Sequence, residues 1–359
     1  KTVTLIFVDG GADWAGLEGP VQDKYPWILF LHCVSHLGSL VMNDIGKIPA
    51  VAEIVETVMD IQNWFSSNQK VATIVQKMCL KVYGQTRGFL WAPDTRFVKI
   101  LLLLKRFKRL MGALRATVEQ DTYKALQFTD TSIDEKVLGD ELWDEVDRVL
   151  LAGPLLCLVC LGDTAGSTLR KLCKTVLWCN EKFEAVNEMT QAGDNDLESK
   201  MYDCWLERMG EFQSPIADAA YVLDPQWVNE SQDAGAVVME NFWKIAKQIL
   251  CRGHKGVQHQ AWEGAKGIKK RVMEQLQAFR YGTGAFARSV EGGDYNNPDC
   301  VCFWTTYGYC ALELKQLALA IMPLPCGSGC AERNWATCKG VLNKTVSYTH
   351  LRAHETLDH

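Results

Sequence analysis

Apolar and polar positions along this chain change period once, near residue 50. Thr2 to Gly11 (TVTLIFVDGG) is a short β-branched and apolar run closed by Asp-Gly-Gly. That is the pattern of a buried strand with an acid at its C-terminal tip. WAGLEGPVQDKY predicts a weak helix ahead of Pro26. WILFLHC predicts a second strand that turns into a helix around Cys33. Leu37, Leu40 and Val41 continue the helical spacing, and Gly46 and Pro49 end it. Residues 1–49 therefore read as α/β. Beyond them, helical spacing runs through AVAEIVETVMDIQNWFSS, VKILLLLKRFKRLMGAL, LGDELWDEVDRVLLAGPLLCLVCLG, TLRKLCKTVLWCNEKFEAVNEM, VVMENFWKIAKQIL and GIKKRVMEQLQAFRYG. A later helix is expected over about Cys310 to Met322, and another opening near Ser328. The predicted fold class is α/β with a large all-α insertion, mostly helical overall. Residues 1–49 form the first part of the core, 50–298 the insertion, and 299–345 the C-terminal part of the core.

Composition adds limits. Hydrophobic residues at 48% and charged residues at 23% exclude a disordered chain. A net charge of −5 excludes a uniformly basic nucleic-acid binder. No apolar run is long enough to span a bilayer, so no membrane partner is expected. Fourteen cysteines are scattered along 359 residues with no signal peptide at the start, which reads as reduced thiols of the cytosol or nucleus. The chain opens on Lys1 and runs straight into a strand pattern, as an internal piece of a longer protein would.

The average charge hides a split. From Asn68 to Arg115 there are eleven Lys and Arg against one acid, Asp94. From Ala116 to Leu150 there are ten acids against three bases. The two stripes could complement each other within the molecule, or the basic one could face a polyanion.

Candidate chemistry rests on few residues. Asp9 ends a predicted strand, where α/β sites open, although such an aspartate also caps helices. Glu332 falls in the first turn of a predicted helix, where the dipole favours an acid in any case. Acids drawn from distant parts of a chain make a Mg²⁺ site of the two-metal kind, which serves phosphodiester chemistry. Two are too few, and a third is expected. Cys33 and His36 form a C-x-x-H with no partner half for zinc. Cys157 and Cys160 lie in LLCLVCLG and read as core. Cys326, Cys330 and Cys338, spaced by four and eight, have no nearby histidine before the tail.

Several motifs then coincide in order. VDGGADW…DKYPWILFLHCVSHLGSLVMNDIGKIP resembles the hAT-superfamily transposase stretch that carries the second catalytic aspartate, a C-x-x-H and an acidic-Ile-Gly-Lys-Ile phrase. DTRFVKILLLLKRFKRL resembles the segment that opens that family's helical insertion. SPIADAAYVLDPQW resembles its Ala-Ala-Tyr-x-Leu-x-Pro phrase. ELKQLALAIMPLPCGSGCAERNWATCKGVLNK resembles its C-terminal dimerisation region. The resemblance reaches Lys344 and implies an RNase H-like core split by a helical domain. It matches Asp9 to the second acid of an Asp-Asp-Glu triad and Glu332 to the third, both as metal ligands. It places Cys33, His36, Arg96, Arg333 and Trp335 near the active site, with His36 also a catalytic candidate.

The implied activity is DNA cleavage and strand transfer with Mg²⁺ or Mn²⁺. Zinc would belong only to an N-terminal finger outside this sequence. DNA is the implied partner, a homo-oligomer of at least two copies the implied assembly, and the nucleus the implied compartment. Lys99, Lys105, Arg106, Lys108 and Arg109 are the candidate DNA-backbone contacts. Leu314, Leu317 and Ile321 share one helical face and, with Trp335, are candidate dimer contacts. Ordinary core accounts for the same stripe equally well. The triad's first aspartate would lie upstream of Lys1, so residues 1–359 alone are expected not to carry out strand transfer. The alternative is a domesticated descendant, a non-catalytic nuclear DNA-binding or dimerising regulator. Residues 346–359 include VSYTHLRAHET, which looks like a translated sequencing-library adapter, so their histidines are not counted as ligands.

Overall fold

The computed structural model describes residues 5–8, 16–25, 28–90, 98–126, 129–164, 168–190, 197–233, 235–251, 262–264, 267–287, 295 and 299–328. These residues are mostly helical, with one two-stranded parallel sheet. Two compact units emerge. One comprises Lys1–Ser35, Cys160–Val176 and Glu211–His359; the other comprises His36–Val159 and Leu177–Gly210. The predicted insertion, 50–298, is thus shared between them.

In the first unit, strands β1 (Leu5–Val8) and β2 (Leu29–His32) pair in parallel, with Leu5 opposite Leu29 and Val8 opposite His32. A parallel pair needs a crossover, and the Glu18–Lys24 helix lies in that connection. The apolar runs that predicted these strands bury Val8, Leu29 and Leu31. The Cys33 N–H extends the ladder by one bond, donating to the Val8 carbonyl at 2.8 Å.

The rest of this unit is built around Pro215–Val222. Every residue of that helix but its first is buried, and it packs on the Ala236–Leu250 helix. Beside it, an aromatic cluster joins three segments: the Phe279 ring lies 4.8 Å from Trp304, 5.5 Å from Phe286 and 5.7 Å from Tyr295. Trp304 satisfies its buried indole N–H on the Leu223 carbonyl at 2.9 Å.

The second unit is a helical body. The Pro49–Ser67 helix turns Val51, Ile54, Val58, Ile61 and Phe65 inward, the stripe that its spacing predicts. Gln69–Tyr83 follows at once. It starts where the Asn68 side chain accepts from the Lys70 N–H, and it stops at Gly84, whose φ of 70° suits glycine. The single helix expected over VKILLLLKRFKRLMGAL is two, Lys99–Lys108 and Met111–Val118. The long LGDELWDEV pattern also divides, into Glu141–Leu150 and Pro154–Asp163. Stacked rings tie helices in pairs: Phe107 on Trp143 at 4.7 Å joins Lys99–Lys108 to Glu141–Leu150, and Phe183 on Trp205 at 5.1 Å joins Leu172–Thr190 to Leu197–Phe212. Burying one such side chain contributes about 1.5–3 kcal/mol.

One charged contact stands out in this unit. Arg148 grips Glu198 in two-pronged fashion, Nε to Oε1 at 2.5 Å and Nη2 to Oε2 at 2.7 Å. The Glu198 side chain is only 9% exposed. The Arg148 hydrogen bonds hold the Glu198 carboxyl below its ordinary value. A depressed folded-state carboxyl stabilises the fold above its unfolded pKa, and that contribution fades as pH falls through the folded value. Glu198→Gln should therefore cost about 2 kcal/mol at pH 7. Urea unfolding at pH 7 and in increasing acid should show the gap between wild type and variant closing as the wild-type carboxyl protonates. A gap independent of pH would contradict this account.

Candidate functional site

Three stretches far apart in sequence meet beside the sheet in the first unit. The first is Cys33–Ser35, directly after β2. The second is Leu161–Gly162, at the end of the Pro154–Asp163 helix. The third is Cys326–Ser328. Cys33 Sγ lies 3.1 Å from Ser328 Oγ, a contact across 295 positions. Cys326 Sγ donates to the Leu161 carbonyl at 3.3 Å. The chain just beyond Gly162 is also tied to the C-terminal stretch. The Leu169 N–H donates to the Leu324 carbonyl at 3.1 Å, and Thr168 pairs with Pro325 as an antiparallel bridge.

Glycine makes this approach possible. A Cβ on Gly327 would overlap the backbone of Gly162, lying 2.8 Å from its Cα. A Cβ on Gly162 would lie 2.8 Å from the Ser35 nitrogen. Backbones this close leave no room for side chains. The small residues Gly327 and Gly162 thus bring the C-terminal stretch onto the C-terminal end of β2. The side chains gathered here are short and weakly polar. Cys33 and Cys326 are buried free thiols and Ser35 is buried.

The predicted site residues fall into three groups. Asp9, Arg96, Glu332, Arg333 and Trp335 lie outside the described residues. Cys33 is buried at the strand end. His36 lies in the first turn of the Val34–Gly46 helix and is half-buried. Among the described residues, no three His, Cys, Asp or Glu side chains gather as metal ligands would.

The remaining predictions concern surfaces. Lys99 and Arg106 are half-buried, and Lys105 and Arg109 are exposed. Lys108 is occupied: its Nζ lies 2.6 Å from Asp147 Oδ2 and 3.4 Å from the Trp143 carbonyl. Arg115 is held by Asp140 at 2.7 Å and by the Gly139 carbonyl at 2.8 Å. The basic and acidic stripes therefore complement each other in part. Leu314, Leu317 and Ile321 are each 0% exposed, on a helix packed against Ile268–Arg280. Side chains so buried have no surface to lend to a second copy. No helix among the described residues is long and apolar enough to cross a membrane.

One buried polar cluster escaped the sequence reading. Arg170, 8% exposed, reaches Cys300 Sγ at 2.8 Å, Gln226 Oε1 at 3.1 Å and Asp224 Oδ2 at 3.3 Å. Asp224 is 0% exposed and also accepts from the Gln226 N–H at 3.0 Å. Burial raises the Asp224 carboxyl, and Arg170 pulls it back down. Burial, with Asp224 alongside, pushes the Cys300 thiol up to about 12, so it is neutral and unreactive. Asp224 belongs to the AAYVLDP phrase, where Asp-Pro reads as a turn. Nothing local marks a lone Arg in TLRKLC as its partner. No protein-family model matches this chain, and no curated protein is significantly similar to it.

Proposed function

We propose that the chain carries part of the catalytic core of a hAT-type DNA transposase, a metal-dependent nuclease and strand-transfer enzyme. One observation carries this reading: Ser328 sits against Cys33 at the end of β2. Asp9 is the next residue after Val8, whose carbonyl accepts the Cys33 N–H. Glu332 follows Ser328 by four residues, a tether that spans at most about 14 Å. Both acids are thereby leashed to one strand end, as a split RNase H-like core requires. The parallel β1–β2 pair with its crossover helix is the part of that core nearest the site.

The donor chemistry fits in kind. Carboxylate oxygens are the ligands that Mg²⁺ takes, and the Cys33 thiol is not. When bound, Mg²⁺ or Mn²⁺ would supply an activated water and charge neutralisation at a phosphodiester. In this reading Asp9 and Glu332 would hold the ion, and the close approach of Gly327 to Gly162 keeps the C-terminal stretch at the strand end. The first aspartate of the triad would come from upstream of Lys1.

The test is Mg²⁺-dependent nicking of supercoiled DNA by the protein expressed with its upstream reading frame. Activity that requires both Asp9 and Glu332 supports the reading. Activity that survives both Asp9→Asn and Glu332→Gln overturns it. DNA binding without any nicking would assign the chain to a non-catalytic regulator.

A further inference from the structure

We propose that the exposed face of the Gln69–Tyr83 helix docks the phosphate backbone of duplex DNA through Lys70, Lys77 and Lys81. This rests on the DNA-processing reading and adds to it a surface far in sequence from the proposed acids. At 3.6 residues per turn, steps of seven and eleven return to within about 20° of the starting direction. The three lysines therefore form one row along the helix, and all three are exposed. The opposite side buries Val71, Val75 and Cys79.

Among the described residues, no carboxylate pairs with the row, whereas Lys108 and Arg115 are paired. The sequence has no Asp or Glu between Asp60 and Asp94. Gln69 and Gln76 share the exposed face and add neutral donors.

The Arg87 guanidinium lies 3.9 Å over the Tyr83 ring and donates to the Arg109 carbonyl at 3.2 Å. A fourth cation is thus held where this helix and Lys99–Lys108 end.

The dimensions suit a duplex. Eleven residues of helix place Lys70 and Lys81 about 16 Å apart, the axial rise of about five nucleotides of one strand. Lysines along a rigid rod contact phosphates without reading bases. A membrane surface would call for several apolar groups to insert, and the large apolar side chains that this helix exposes are Leu80 and Val82, near its end and apart on its circumference.

The experiment is fluorescence anisotropy of the whole chain with a labelled duplex of arbitrary sequence, as a function of NaCl concentration. The triple variant Lys70→Gln/Lys77→Gln/Lys81→Gln should bind at least about tenfold more weakly near 0.1 M salt. Its log K against log salt slope should be shallower by about 2–3. The triple variant Lys105→Gln/Arg106→Gln/Arg109→Gln should change the slope less. Circular dichroism should find both variants folded, because the substituted side chains lie outside the core. If wild type binds and the first variant matches it in affinity and slope, the row is not the contact, and the nuclease reading stands on its own nicking test. Absence of duplex binding by wild type, or row-dependent binding to phosphatidylserine vesicles in its place, also overturns the proposal.

Discussion

Arg170→Met is expected to lower the unfolding free energy of the first unit by about 3–5 kcal/mol. The reason is what it leaves behind. Asp224 has no solvent exposure, and Arg170 is its ion-pair partner. Without that cation the carboxylate keeps one backbone N–H and the Cys300 thiol as donors. A buried charge so weakly compensated takes up a proton or pulls the fold open. Arg170→Lys should recover only part of the loss, because an ammonium cannot reach Gln226 and Cys300 together as the planar fork does. The double variant Arg170→Met/Asp224→Leu should be milder than Arg170→Met, since removing both charges removes the orphan. Two units make a single unfolding midpoint ambiguous. Hydrogen exchange measured by mass spectrometry over residues 215–228 and 300–307 therefore gives the local reading. A loss below about 1 kcal/mol for Arg170→Met would contradict this account of the cluster.

Glu332→Gln should reduce Mg²⁺-dependent nicking by about a thousandfold or more in a protein that carries the full triad. An amide keeps the shape of the side chain and gives up the charge that a hard cation needs. The ion supplies several kcal/mol of charge stabilisation in phosphodiester cleavage, and each 1.36 kcal/mol is a factor of ten in rate. Asp9→Asn should act in the same direction. Binding of the duplex should change far less than nicking, because the proposed backbone contacts lie on the Gln69–Tyr83 helix. A variant that loses binding and nicking in the same proportion would move Glu332 from the chemistry to the fold.

Local pattern carried much of the architecture. The apolar runs that contain Leu5–Val8 and Leu29–His32 are the two strands, and the Pro49–Ser67 helix follows its apolar stripe. Pattern failed where burial is complete. Pro215–Val222 is covered on all sides, so no polar face gives it a period to detect. It failed again at breaks. Helical spacing runs on through Arg109 and Leu110 although the backbone turns there, and Gly153-Pro154 was the one signal of the second break. The Gln69–Tyr83 helix did carry a readable start in Asn68, whose side chain caps it. For Leu314, Leu317 and Ile321, spacing alone could not separate core from interface, because both demand the same stripe. The candidate site was legible only in parts. Asp9 and Glu332 were visible as acids in suggestive places, while the contact of Cys33 with Ser328 spans the chain and leaves no local mark.

That contact is also the most direct handle on the central claim, that the strand end and the C-terminal stretch form one site. Ser328→Cys would place a second thiol about 3 Å from Cys33 Sγ, and a small side-chain rotation would bring the sulfurs to bonding distance. Mild oxidation of the folded protein, followed by proteolysis and mass spectrometry, should recover a disulfide joining the Cys33 peptide to the peptide carrying the new thiol. The cross-link should vanish when Cys33 is replaced by serine and when the protein is oxidised in denaturant. Failure to form that bond in the folded protein, or pairing of the new thiol with other cysteines as readily as with Cys33, would contradict the assembly of the site.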